Sequence, residues 1–234
     1  MPLVVKNLII INALFFLARY TLGSTLSIDL NSVLGLYYYK SPEFNPYQLI
    51  SYMFMHGGFS HIFFNMFALW MFGTQIENLW GPKRFLNYYL ITGFGAAFLH
   101  YLIIHFQISG LESYFTSNQI TEIVNSGAFN PSSPLFSKAR MLYGLHHTPV
   151  VGASGAVFGL LLAYGMTYPN QIIYLNLLFP IKAKYFVIIY GLLEFVMGVQ
   201  NGAGDNVAHF AHIGGMLFGF LLIKYWKKND MNFY

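Results

Sequence analysis

Three apolar segments of the chain each carry polar residues whose types could perform nucleophilic and acid–base chemistry. The three groups are His56, His61 and Asn65; Ser154; and His209 and His212. Polar side chains are costly inside a membrane, so each of these residues is a candidate for function. The chain contains no cysteine, and a nucleophile must therefore come from another side chain, with serine as the first candidate.

Ser154 lies in the segment Gly-Ala-Ser154-Gly, which we predict to begin a helix. At a helix start the backbone N–H groups are unsatisfied and the helix dipole is positive, so the position favours a developing oxyanion. A packing role is an alternative for this serine considered alone, because Gly155 and Gly159 form a G-x-x-x-G pair that lets helices approach closely.

His212 favours the chemical interpretation, because a serine hydroxyl is a poor nucleophile without a base and imidazole accepts a proton near neutral pH. Gly215 and Gly219 lie on the same helix face as His212, and they allow that helix to pack closely against the glycines that follow Ser154. We therefore expect Ser154 and His212 to come within hydrogen-bond distance.

His61 and Asn65 are four residues apart and so project from one helix face. Their side chains and the backbone N–H of Ser154 suit an oxyanion hole, although a polar clamp between helices is an alternative. We expect five residues to shape the site without a catalytic role: His56, Gly152, Gly155, His209 and Gly215.

A zinc site is the main alternative for the histidines, since His209 and His212 are three residues apart and His56 and His61 could approach them. Zinc would leave Ser154 unexplained, and the carboxylate nearest in sequence, Asp205, lies about two turns before His212. We predict no metal, no cofactor and a Ser–His dyad without a third acid. For Glu194, inside another apolar stretch, we expect a hydrogen bond between helices.

The composition predicts what positions these residues. Hydrophobic residues make up 56% of the 234 residues and charged residues only 9%, which suits a lipid-facing surface. Stretches long enough to span a bilayer occur at about 8–26, 60–80, 85–106, 150–168, 181–199 and 207–226. We predict an all-α, polytopic membrane protein with six spans in one domain, residues 1–234.

The distribution of positive charge predicts the orientation. With the N terminus inside, eight Lys and Arg residues fall in inside segments and three in outside segments, which favours both termini inside. The excess of Lys and Arg over acidic residues thus reflects membrane topology, and we expect no nucleic-acid partner. This orientation puts all three polar groups near the outer ends of their helices. It also makes residues 107–148 a long outside loop, which we expect to be irregular.

These motifs together resemble the rhomboid family of intramembrane serine proteases. The resemblance rests on H-x-x-x-N from His61 to Asn65, G-x-S-G around Ser154 and A-H-x-x-G around His212, and it covers nearly the whole chain. It implies that Ser154 is the nucleophile and His212 the base. It also implies that His61, Asn65 and the Ser154 N–H form the oxyanion hole.

The resemblance further implies a serine endopeptidase that cleaves transmembrane segments of other proteins near their outer ends. We expect a multi-pass protein of a cell membrane, the inner membrane for a bacterial protein, with membrane-protein substrates and lipid as partners. Bacterial members often carry a Trp-Arg pair where this chain has Pro46-Tyr47-Gln48, and many carry Asn where it has His209. A non-catalytic rhomboid-like protein that binds transmembrane clients is the alternative.

Overall fold

The computed structural model describes residues 1–175, 179–200 and 208–229. Its helices are α1 (Leu3–Leu26), α2 (Leu30–Leu34), α3 (Gln48–Ser51), α4 (Phe59–Ala68), α5 (Thr74–Trp80), α6 (Pro82–Glu112), α7 (Ser117–Ser126), α8 (Phe136–His147), α9 (Ser154–Thr167), α10 (Ala183–Gln200) and α11 (His209–Asn229). A 3₁₀ turn at Tyr52–Phe54 follows α3, and a π-helical turn at Leu69–Gly73 joins α4 to α5. The fold is mostly helical, as predicted.

Three of these helices, α1, α6 and α10, are long and apolar enough to cross a membrane. Many of their apolar side chains face outward, and large residues of α10 such as Leu192, Phe195 and Val196 are about half exposed. A helix that is apolar on all sides and poorly buried is typical of a membrane span. The shorter α9 is also apolar.

Helix α9 lies at the centre of the fold. Most of its residues are buried, and it packs against α6, α10 and α11. Gly155 lies so close to α11 that a Cβ atom built on Gly215 would lie 1.8 Å from the Gly155 carbonyl oxygen. This close approach of two backbones brings the start of α9 against the first two turns of α11.

Gly159 of α9 and Gly219 of α11 face α6 rather than each other. A Cβ on Gly159 would contact Thr92, and a Cβ on Gly219 would lie 2.2 Å from the Tyr88 hydroxyl. That hydroxyl donates to the Gly159 carbonyl oxygen at 2.8 Å. The predicted matching of glycines between α9 and α11 therefore holds for Gly155 and Gly215, while Tyr88 contacts both helices farther along.

The prediction that residues 107–148 are irregular was wrong, because α6 extends to Glu112 and the segment forms α7 and α8. Thr116 and Gln119 make a capping box at the start of α7, and Gly127 ends it in the left-handed conformation. Both features are local helix signals. The segment has its own apolar cluster, which includes Ile108, Ile123 and Leu142.

His147 fastens this segment to the loop before α3. Its Nδ1 lies 2.8 Å from Glu43 Oε1 and its Nε2 donates to the Val124 carbonyl oxygen at 2.7 Å. Burial by itself raises the pKa of Glu43, but hydrogen bonds from Ser41 and His147 outweigh it and lower the pKa below its ordinary value. The carboxylate form therefore holds the two parts together at neutral pH.

Between α9 and α10 the chain forms a small antiparallel hairpin, so the all-α prediction needs correction here. Strands β1 (Ile172–Leu175) and β2 (Phe179–Lys182) pair from Ile172 with Lys182 to Leu175 with Phe179. The segment contains several β-branched and aromatic residues, which favour strands. A two-stranded hairpin is marginal alone, and both strands contact α10.

Glu77 fixes the N terminus of α1 against α5. Its two carboxylate oxygens accept hydrogen bonds from the backbone N–H groups of Val4 and Val5 at 2.9 and 2.7 Å. These donors belong to the first turn of α1 and have no partner within the helix. A carboxylate at that position also interacts favourably with the helix dipole.

We expect Glu77→Ala to lower the free energy of unfolding by about 2 kcal/mol, because two backbone donors lose a charged acceptor. Thermal unfolding in detergent micelles measures the change. Glu77→Gln keeps an oxygen acceptor and should lose less. Equal stability of Glu77→Ala and the unsubstituted protein would show that the two hydrogen bonds contribute little.

Candidate active site

Ser154 is the first residue of α9, and the chain enters the helix through Gly152. Gly152 has a φ of +134°, a conformation that glycine adopts readily and other residues rarely do. The side chain of Ser154 therefore lies at the N-terminal end of the helix, where backbone N–H groups lack partners within the helix.

The structure brings Ser154 and His212 together although they are 58 residues apart, with Ser154 Oγ 2.8 Å from His212 Nε2. The His212 ring stacks on Phe158, with centroids 4.2 Å apart and planes within 6°. Phe158 is one turn after Ser154 on α9, so the same helix supplies the hydroxyl and the surface that orients the imidazole. The sequence reasoning missed Phe158, although its i+4 spacing from Ser154 was a usable signal.

Glu194 of α10 lies behind His212. Its Oε2 is 2.8 Å from His212 Nδ1 and 2.6 Å from His209 Nδ1. The expected interhelical hydrogen bond of Glu194 is therefore present, and its partner is the histidine that contacts Ser154. The prediction of a dyad without a third acid considered only Asp205, which lies outside the described residues, and it overlooked Glu194.

His61 lies on the other side of Ser154. A Cβ atom on Gly152 would lie 2.9 Å from His61 Nε2 and 3.4 Å from Ser154 Oγ, so Gly152 separates the two groups with no side chain of its own. His61 Nδ1 accepts from the Gly57 N–H at 3.3 Å. In neutral His61 the proton is then on Nε2, which faces the Ser154 side of the ring.

Asn65 is buried one turn after His61, and its Nδ2 donates to the His61 carbonyl oxygen at 2.9 Å. This bond uses one of two amide hydrogens, so the side chain keeps a second donor. Its contribution to an oxyanion hole stays a prediction.

His56 packs against His61, with ring centroids 5.0 Å apart. It is 1% exposed, and neither ring nitrogen has a hydrogen-bond partner among the described residues. Its backbone is fixed from α1, because Arg19 Nη1 donates to the His56 and Gly57 carbonyl oxygens at 3.0 Å each. His56 thus makes a ring contact with His61, and its shaping role stays a prediction.

Zinc binds carboxylate and imidazole side chains, and this site contains Glu194, His209 and His212. One ligand atom from each of the three lies within 4.8 Å of the others. Both Nδ1 atoms are within hydrogen-bond distance of the same carboxylate oxygen. These hydrogen-bond contacts leave His212 Nε2 directed at Ser154.

We expect Gly152→Ala to reduce activity by roughly 10²-fold, because the added methyl would strain a positive-φ backbone and displace His61. The rate of labelling by a serine-reactive fluorophosphonate measures the effect. Gly58→Ala is a matched control, since Gly58 is extended and a Cβ there has no neighbour within 4 Å. Similar rates for both variants would contradict the prediction.

Comparison with known proteins agrees with the resemblance seen in the motifs. The chain matches the Rhomboid domain over residues 43–228. It is 30% identical over 214 residues to RHOMBOID-like protein 12, mitochondrial, of Arabidopsis thaliana. The aligned region covers 91% of this chain and 55% of that protein.

Two bacterial relatives are similar at comparable identity. Rhomboid protease GluP of Bacillus subtilis (strain 168) is 29% identical over 74% of this chain and 25% of its own length. Rhomboid protease AarA of Providencia stuartii is 28% identical over 73% of this chain and 52% of its own. The chain thus spans about half or less of these relatives.

The match covers most of the chain, so this protein belongs to the rhomboid family. With its long apolar helices, it is a multi-pass membrane protein.

Proposed function

We propose that this chain is an intramembrane serine endopeptidase that cleaves transmembrane segments of other membrane proteins near their outer ends. The observation that carries the proposal is the 2.8 Å contact between Ser154 Oγ and His212 Nε2. Relatives that are named rhomboid proteases add support. We also propose the six-span arrangement with both termini inside, which places this contact near the outer surface.

In the proposed mechanism His212 Nε2 takes the hydroxyl proton while Ser154 Oγ attacks the scissile carbonyl carbon. The negative oxygen of the tetrahedral intermediate is held by the Ser154 N–H, the His61 Nε2–H and the second amide hydrogen of Asn65. His212 then protonates the leaving amine. Water hydrolyses the acyl enzyme with His212 again acting as the base.

The substrate segment must present an extended backbone to Ser154, because the amides of an intact helix are already hydrogen-bonded within the helix. Cleavage near a helix end requires little unwinding, since the last turns lack full hydrogen bonding. We therefore expect substrates whose spans contain glycine or other helix-destabilising residues near the outer end. We also propose that the protein lies in a cell membrane. Its relatives include both bacterial and mitochondrial proteins.

Cleavage of a panel of tagged single-span proteins, reconstituted with either the unsubstituted protein or Ser154→Ala, tests the function. We expect at least one substrate to be cut near its outer end by the unsubstituted protein and none by the variant. Substrate binding by both proteins with cleavage by neither would favour the non-catalytic client-binding alternative. Cleavage by Ser154→Ala would remove Ser154 as the nucleophile.

A further inference from the structure

We propose that Glu194 is a positioning residue for His212, so that this protein works with a Ser–His–Glu array rather than a Ser–His pair alone. The inference rests on the proposed protease function and adds a residue to it. Glu194 comes from α10, a helix that carries neither Ser154 nor His212, and its carboxylate contacts His212 on the side opposite to Ser154.

The geometry selects one tautomer of His212. A carboxylate oxygen accepts hydrogen bonds and does not donate them, so its 2.8 Å contact with His212 Nδ1 requires a hydrogen on Nδ1. In the neutral ring Nε2 then carries a lone pair, and it lies 2.8 Å from Ser154 Oγ. This is the tautomer that can accept the serine proton. After transfer, the carboxylate stabilises the resulting imidazolium.

His209 contributes to the same array through Glu194. Its Nδ1 lies 2.6 Å from the same Oε2 atom that faces His212. Two N–H donors from successive turns of α11 therefore converge on one oxygen and limit its rotation. The Phe158 ring is stacked on His212 and restricts movement of the imidazole perpendicular to its own plane.

Glu194 is buried, so its carboxylate costs free energy at this position even if its contact with His212 has no function. The residue is 8% exposed and lies within the apolar helix α10. A carboxylate in such surroundings is unfavourable unless it is paired. An apolar residue would fill the position at lower cost, so the retained carboxylate calls for a role that an apolar residue cannot perform.

Fluorophosphonate labelling of purified Glu194→Gln tests the role. Glutamine keeps the size but can offer its amide N–H to Nδ1, which favours the wrong tautomer. We expect the labelling rate to fall by about 10²-fold or more.

Glu77→Gln is the matched control: it changes an equally buried carboxylate far from the site. It should lower thermal stability without changing the labelling rate. Glu194→Asp retains the charge, and its rate should lie between those of Glu194→Gln and the unsubstituted protein.

A folded Glu194→Gln protein with an unchanged labelling rate would overturn the inference. If that variant does not fold, ¹⁵N NMR of the histidines in the unsubstituted protein decides the matter, with His212→Ala used for assignment. A hydrogen on His212 Nδ1 supports the inference, and a hydrogen on Nε2 overturns it. Failure of the unsubstituted protein to be labelled at Ser154 would instead reject the proposed protease function, and the NMR measurement would still report on Glu194.

Discussion

Replacing His212 with alanine is expected to reduce fluorophosphonate labelling of Ser154 by roughly 10³-fold or more. The reason is the 2.8 Å hydrogen bond through which the imidazole receives the serine proton in the proposed mechanism. Without it the hydroxyl must ionise unaided, and a serine hydroxyl is a weak nucleophile at neutral pH. The helix N terminus and the His61 side are unchanged, so residual reactivity should remain above that of Ser154→Ala.

The control for this experiment is His146→Ala, because His146 is also a buried histidine but belongs to α8 and contacts Tyr38 rather than Ser154. It should label at close to the rate of the unsubstituted protein. Thermal unfolding of both variants separates loss of the base from loss of the fold. Rapid labelling of a folded His212→Ala protein would mean that another group activates Ser154.

The second large effect is expected from Gly215→Ala, which changes no polar group. Its Cβ would lie 1.8 Å from the Gly155 carbonyl oxygen, so α11 and α9 must separate by roughly 1 Å to relieve the overlap. The same two helices carry His212 and Ser154. A displacement of that size can lower activity by about 10²-fold, and the overpacking should cost about 1–3 kcal/mol in stability.

Substrate cleavage and thermal unfolding should be measured together for this variant. Gly110→Ala provides the comparison, since Gly110 is a helical glycine of α6 where an added Cβ would have no neighbour within 4 Å. That change should be neutral or stabilising, because alanine favours helix. If Gly215→Ala retains full activity, the close approach of α9 and α11 is not what holds Ser154 against His212.

The array around Glu194 changes how the family resemblance applies to this chain. The motifs around Ser154 and His212 imply a two-residue mechanism, and the resemblance assigns no role to His209. In the structure His209 and His212 share the Glu194 carboxylate. A role for His209 therefore follows from its contact in this protein and could not be transferred from the motif.

Much of the site could be predicted from the sequence because its parts are local. The order Gly-Ala-Ser154-Gly predicts a helix start, and the i+4 spacing of His61 and Asn65 predicts one helix face. Helix signals were present even where the prediction failed: Thr116 and Gln119 form a capping box that the sequence already contains. The expectation of an irregular segment gave too much weight to its polar composition.

Only the tertiary structure shows the contacts between distant segments. Composition and the length of the apolar stretches predicted a helical membrane protein, and residue types indicated Ser154 and His212 as the candidate reactive pair. The partner of Glu194, the packing of Gly159 and Gly219 on α6 and the hairpin before α10 depend on how helices rotate and cross. Helices that are apolar on all sides carry no stripe that selects one rotation, so side-chain packing and glycine contacts select it in the folded protein.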